Sequence, residues 1–284
     1  MTDAFEAALA TFPWASVRLT CALPPEFADL PDLPDRLRGA IGNRLRERPT
    51  GSDAALLHKL MYGDGEGRDG AVRPVVLQTD RQGNMLTVRL HLAGTAANLM
   101  VTAGHALRAA LTGGVRMGTD IRYHVALDPG PPMFARHLGF VDNSPAGADR
   151  LYLHLATPLS LRMGKGRTGN ASVSTTPSIQ TLPWNIESRF RRLAKAFHRP
   201  VTAASGIPRR LSDLLALTED TTYPVTFLHY SKSHRDPVPI SAVGGELIHA
   251  GRCYVYLPLF AFARVFHAGS GTAFGLGRIE YAAT

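Results

Sequence analysis

Eleven histidines and 31 Lys+Arg stand against only 23 Asp+Glu, and that imbalance frames the chemistry open to this chain. No histidine belongs to an HExxH pair, and none lies at ligand spacing from Cys21 or Cys253. The two cysteines are far apart and form no CxxC motif, so neither a zinc site nor a disulfide framework is expected. Carboxylates are scattered, which leaves a two-metal nuclease without its acidic pair. No G-x-S-x-G elbow offers a serine nucleophile. What remains for proton transfer and charge stabilisation is His, Arg, Tyr and Lys, an inventory that suits a reaction with no metal and no cofactor.

Two glycine-rich segments could meet phosphates. MGKGRTG (163–169) lacks the first glycine of a Walker A loop, because position 159 is Leu, and Gly166 replaces the Ser/Thr after the lysine. Nucleotide hydrolysis is therefore not supported. Arg162, Lys165 and Arg167 make this segment either an RNA-contacting hairpin or a solvated loop. HAGSGTAFGLGR (267–278) carries Gly269, Gly271, Gly275 and Gly277 without the GxGxxG spacing of a dinucleotide site. It reads either as a structural loop or as backbone that approaches a phosphate chain closely. Two further basic groups complete the set. Arg189, Arg191, Arg192 and Lys195 lie off the apolar positions of a helix, and SKSHR adds Lys232 and Arg235.

Hydrophobic periodicity supplies the elements that must position these side chains. Val17, Leu19 and Cys21 alternate with polar residues, which predicts a strand over 16–23. Leu37, Ile41 and Leu45 recur at helical spacing, with Asp35 as cap and Pro49 as stop. VRPVVLQ and LTVRLHLAG read as two strands joined by a turn near Arg81–Asn84, followed by a helix over 96–111 and a strand over 121–127. Pro129–Ala148 reads as linker. A strand beginning at Arg150 opens a second copy of the order, and Ile186, Phe190, Leu193 and Phe197 mark its helix. A short helix over 209–218, strands over 224–231 and 238–249, a buried helix over 254–265 and a strand over 277–281 complete it. Each half is βαββαβ, the ferredoxin-like or RRM-like arrangement. The expected fold is α+β, with two tandem ferredoxin-like domains, 1–148 and 149–284.

At 284 residues with 45% hydrophobic residues, the chain has material for two cores. Its formal net charge of +8 favours a polyanionic partner. No apolar run reaches the ~18 residues of a membrane span, and MTDAFEAALATFPW has no basic n-region, so a cytoplasmic protein is expected.

Several segments, in order, resemble the CRISPR-associated RAMP endoribonucleases that cut precursor CRISPR RNA within its repeats. LRGAIGNRLRE (37–47) is similar to that family's first helix, and LMYGDGEGRDGAVRPVVL (60–77) to its loop into the second strand. LATPLSLRMGKG (155–166) resembles the strand that opens the second domain. GGELIHAG and HAGSGTAFGLGRIEY are similar to the family's glycine-rich C-terminal signature. The resemblance implies attack by a ribose 2′-OH on the adjacent phosphate, without metal, giving a 2′,3′-cyclic phosphate and a 5′-OH. It also implies a repeat RNA hairpin as ligand, retention of the mature crRNA, other CRISPR effector subunits as partners, and no membrane.

Many relatives carry a histidine in the first helix or just after it. Asn43 stands in that helix here, and asparagine cannot act as a base. Two alternatives follow from the resemblance. His58 could supply the imidazole, with Lys59 or Tyr62 beside it. Otherwise arginines, Arg38 and Arg18, align the nucleophile and neutralise charge, and the arginine-rich first helix is similar to type IV relatives. A non-catalytic RAMP subunit that binds crRNA is the competing reading, favoured by Asn43. A small-molecule-sensing pair of domains is disfavoured by a pI near 9.9.

Overall fold

The computed structural model describes residues 4–25, 33–47, 51–63, 72–116, 124–140, 144–145, 147–161, 179–229 and 238–284. The chain divides into two compact units. The first comprises Pro13–Leu138 with Ala273–Gly275; the second comprises Met1–Phe12, Gly139–Thr272 and Leu276–Thr284. Among the described residues, no helix is long and apolar enough to cross a membrane.

In the first unit, strand β1 (Pro13–Ala22) buries Val17, Leu19 and Cys21 on one face and presents Ser16, Arg18 and Thr20 on the other. Helix α2 (Leu33–Arg46) lays Leu33, Leu37, Ile41 and Leu45 on the inward face, a spacing that keeps them on one side of a 3.6-residue helix. Helix α3 (Asp53–Tyr62) follows, then β2 (Val75–Gln82) and β3 (Met85–Ala93), joined through Gly83 at φ +59. A 3-10 turn (Gly94–Leu99) leads into α4 (Met100–Thr112). The sheet order is β2-β3-β1-β6, where β6 is Met133–Leu138, with every neighbouring pair antiparallel. One apolar cluster fills the space between this sheet and α2–α4.

Two elements differ from expectation. The fourth strand is β6 (Met133–Leu138), inside the segment read as linker, whereas β4 (Val115–Arg116) and β5 (His124–Val125) form only a separate two-stranded ribbon. β6 pairs with β1 on one side alone and is exposed along most of its length, so it lacks the buried apolar alternation that marks an inner strand. Helix α3 was not anticipated, although its signals are present. Ser52 caps it by accepting from Ala55 N at 3.3 Å, Asp53 sits in the first turn, and Gly63 ends it at φ +84.

The second unit repeats the topology. Strand β7 (Arg150–Leu159) and helix α5 (Leu182–Phe197) are followed by β8 (Leu215–Asp220), β9 (Tyr223–His229) and β10 (Val238–Gly251). Helix α6 (Leu257–Phe266) and β11 (Ile279–Ala283) close it. The order is β11-β7-β10-β8, and β9 pairs with the first half of β10 while β8 pairs with the second. The expected helix over 209–218 is instead a single 3-10 turn, Leu211–Asp213, running into β8. The N-terminal helix α1 (Ala4–Ala10) belongs to this unit. Phe5 and Phe12 are fully buried and meet the Phe190 ring edge-on at 5.5 Å, with Phe262 on the other side of Phe190.

Candidate active site

Arg38, Gly42 and Arg46 follow one another at four-residue steps along α2, so they share one face. His58 and Tyr62 do the same on α3. The two faces meet. The Tyr62 hydroxyl donates to the Arg38 carbonyl, and Arg38 Nη2 donates to the Met61 carbonyl at 3.0 Å. The Arg38 guanidinium lies 4.2 Å from the Tyr62 ring centroid and 5.1 Å from that of Phe274, so it sits against two aromatic rings. Gly42 makes room for Tyr62: a Cβ there would fall 2.6 Å from the ring.

His58, one turn earlier on α3, stacks on the Tyr62 ring of this clamp. Its ring lies 4.7 Å from that of Tyr62, tilted by 21°, and its Nε2 accepts from Arg46 Nε at 3.1 Å. Arg73 stands beside Gly63, one residue beyond Tyr62. Burial, then the cations Arg46 and Arg38, holds the His58 pKa below 6.5, so the imidazole is neutral at pH 7. Burial outweighs Arg38 at Tyr62 and pushes the phenol up to about 12, which keeps it a donor. Burial also lowers the Arg38 pKa from its ordinary value, against the pull of Tyr62 and Asp35; an arginine remains cationic at neutral pH regardless. The result is an imidazole beside two positive charges, a setting able to take up a proton while holding an anion.

Of the three residues singled out for catalysis, Arg38 and His58 therefore come together through Tyr62. Arg18 does not join them. It lies on the face of the sheet opposite the α2–α4 core, exposed, with Nη2 3.0 Å from Met133 Sδ. Its cross-strand neighbour Arg89 is paired with Asp80. The same face carries Ser16, 3.0 Å from His137 Nε2, and Trp14, stacked on the His137 ring at 3.8 Å. Arg46, Arg73 and Phe274 escaped the sequence reading. For Arg46 a signal existed, since the i, i+4 and i+8 series from Arg38 is legible once α2 is recognised.

The basic face expected on α5 is smaller than anticipated. Arg189 is only 4% exposed, and its Nε donates to the Phe266 carbonyl at 2.8 Å, where it caps the last turn of α6. Its place follows from helix geometry, because position 189 is three residues after Ile186 and four before Leu193, on the apolar stripe. Burial and Arg192 lower its pKa to about 9. Arg191 is tied to Glu187 at 2.7 Å and to the carbonyls of Val201 and Ala203, each at 2.7 Å. Arg192 and Lys195 remain exposed. Arg162, Lys165, Arg167, Lys232 and Arg235 lie outside the described residues.

The glycine-rich segment is shaped by its own chain. Gly277, at φ +78, would place a Cβ 1.9 Å from the Ala268 carbonyl oxygen, and Gly269 one 2.3 Å from that of Ser160. Gly271 packs against Leu276, and Gly275 lies beside Pro34 at the start of α2. These contacts account for the glycines without a ligand. What the segment gives the site is Phe274, delivered to Arg38.

No known family profile matches this sequence, and no curated protein matches it. Solved structures do share its fold. Thermus thermophilus Cas6 (TTHB231) superposes with a TM-score of 0.57 at 14% identity, covering 96% of this chain and 99% of that one. A product complex of the same Cas6 gives 0.56 at 15% identity, over 97% and 100%. A product complex of Cas6 (TTHA0078) gives 0.52 at 18% identity, over 96% and 99%. The agreement runs through the whole length and fits the tandem ferredoxin-like reading of the two units.

Proposed function

We propose that this chain, which has the fold of Cas6, is a metal-independent endoribonuclease that cleaves precursor CRISPR RNA within its repeats and keeps the mature crRNA. The observation that carries this reading is the neutral His58 imidazole held between the Tyr62 ring and the Arg46 guanidinium. His58 takes the proton from the ribose 2′-OH, and the freed oxygen bonds to the adjacent phosphorus as the bond to O5′ breaks. Water returns a proton to the leaving O5′. Arg46 and Arg38 counter the charge that builds on the phosphate, an effect worth about 2.7–4 kcal/mol per well-placed donor. Tyr62 keeps its proton and holds Arg38 and His58 in place.

A repeat hairpin is the substrate in this reading, bound in the cytoplasm by a chain of net charge +8, with Arg192 and Lys195 among its phosphate contacts and other CRISPR effector subunits as later partners. Glycine-loop contacts to RNA are no part of it, because chain contacts already explain those residues. The test is a labelled repeat RNA incubated with the purified protein in EDTA. A single cut at the 3′ base of the stem, blocked by 2′-deoxy substitution there, is the expected result; RNA that is bound but left intact refutes it. The second reading, a non-catalytic crRNA-binding subunit, has one observation in its favour: the Nε2 lone pair of His58 is already occupied by Arg46.

A further inference from the structure

The hydrogen bond from Arg46 to His58 fixes which ring nitrogen carries the proton. A guanidinium N–H only donates, so Nε2 accepts and the neutral ring must be protonated on Nδ1. That is the tautomer a base facing a 2′-OH through Nε2 needs, but its lone pair is engaged by Arg46. The partner holding that lone pair is also a cation on the last residue of α2, exposed and able to turn toward solvent. Arginine makes stronger, bidentate contacts with a phosphate than with an imidazole nitrogen.

We infer that Arg46 masks His58 in the free protein and is drawn off by the substrate phosphate, so that the base is released only when RNA is in place. This inference rests on the proposed role of His58 and adds its control. The groups facing the ring are Arg46 and Arg38 from α2 and Tyr62 from its own helix. Arg38 is engaged with the Met61 carbonyl and two aromatic rings, and Tyr62 with the Arg38 carbonyl, which leaves Arg46 as the member of the set able to exchange His58 for a ligand. Once Arg46 has moved, it also brings its charge to the phosphate under attack. Unmasking and charge stabilisation become one event. Two consequences oppose the cation's departure and keep the free site silent: the lone pair stays filled, and the nearby positive charge holds the ring neutral without making it available.

Long-range proton–nitrogen correlation spectra of the full chain read the tautomer directly. In the free protein at neutral pH, His58 is expected as the Nδ1–H form. Arg46→Ala, and Arg46→Met, which keeps the aliphatic stem in case the alanine variant folds poorly, should move it toward the Nε2–H form that an unconstrained imidazole prefers. Both should also raise the His58 titration midpoint by about half to one pH unit, through loss of a hydrogen bond to the neutral ring and of a repelling charge. The acid limb of kcat/KM, which reports the free enzyme, should rise with it. A repeat-derived hairpin made 2′-deoxy through its 3′ strand should instead keep the Nδ1–H form, whose Nε2 can take a proton, while shifting the His58 Nε2 resonance of the unmodified protein as Arg46 leaves it for the phosphate. An Nε2–H ring in the free protein, a tautomer that neither variant alters, or an Nε2 resonance that the hairpin leaves in place overturns the inference. Cleavage by His58→Ala tests the separate claim that His58 is the base: normal cutting there removes that claim and leaves the tautomer result standing.

Discussion

Two glycines on α2, three residues apart, should respond oppositely to the same added methyl group. At Gly39 a Cβ meets nothing within 4 Å, so Gly39→Ala gains only helix propensity, about 0.8–1.0 kcal/mol. A gain of that size raises the melting temperature by roughly 2–4 °C in a chain of this length. At Gly42 the Cβ would fall 2.6 Å from Tyr62 Cζ and 2.7 Å from its hydroxyl oxygen. Carbon atoms rest about 3.5–4.0 Å apart, so the ring must retreat by about 1 Å. Overpacking of this kind costs about 1–3 kcal/mol, which offsets or exceeds the propensity gain. The larger effect falls on the site. Tyr62 bonds to the Arg38 carbonyl and stacks on His58, so its retreat misplaces both, and a shift near 1 Å can cost about a hundredfold in rate. Thermal melts and single-turnover cleavage of repeat RNA at saturating enzyme measure the two quantities independently. Gly42→Ala melting and cutting like Gly39→Ala would refute the clamp.

Arg38→Ala should lower cleavage by about tenfold or more while hairpin affinity stays within a few-fold, since a donor to developing charge acts on rate. A loss of affinity with an unchanged saturated rate would make Arg38 a backbone contact only. RNA binding should weaken with salt by a log–log slope of about −0.7 to −0.9 per neutralised phosphate, measured by filter binding, and a flat profile removes the electrostatic footing. His249 is buried with neither ring nitrogen hydrogen-bonded, and burial lowers its pKa below 6.5 although Asp220 pulls the other way. Because its folded pKa is depressed, the stability it contributes is fully present above pH 6.5 and is lost as pH falls through the folded value. His249→Phe should therefore flatten the acid side of a stability–pH curve, and an unchanged curve refutes this. Gly277→Ala should cost folding stability whether or not RNA is present, because its Cβ would meet the Ala268 carbonyl; a variant that melts normally and loses only RNA binding would restore a ligand role to the loop.

Inner strands and buried helices were legible in the sequence because both of their signals come from one source, a regular alternation set by burial. Val17, Leu19 and Cys21 mark β1 and Leu37, Ile41 and Leu45 mark α2 for that reason. β6 carries no such alternation, because it is exposed along most of its length, and so it reads as linker. For Arg189 the spacing itself points inward, three residues after Ile186 and four before Leu193, but the carbonyl that satisfies its charge, that of Phe266, lies 77 residues away in sequence. The site was half visible. His58 and Arg38 were named from residue type and resemblance, but their meeting depends on Tyr62 reaching across to α2 over Gly42, a contact no spacing rule encodes. Arg18 failed for the converse reason. Strand alternation already placed it on the face away from Leu37 and Ile41, and so away from the helices that hold the other two.

The membership of residues 5–12 in the second unit sets an order on biosynthesis. Phe5 and Phe12 are made before the first unit, yet their partners Phe190, Phe262 and Phe266 are made after it. The first unit, whose sheet and helices lie within residues 13–138, gains its strands and helices while that early segment still has nothing to pack against. At about 5–20 residues per second, the nascent apolar helix waits on the order of ten seconds or more for Phe190 and longer for α6. Phe5 and Phe12 thus wait without their partners while the whole of the first unit is made, and the second core is the later of the two to close.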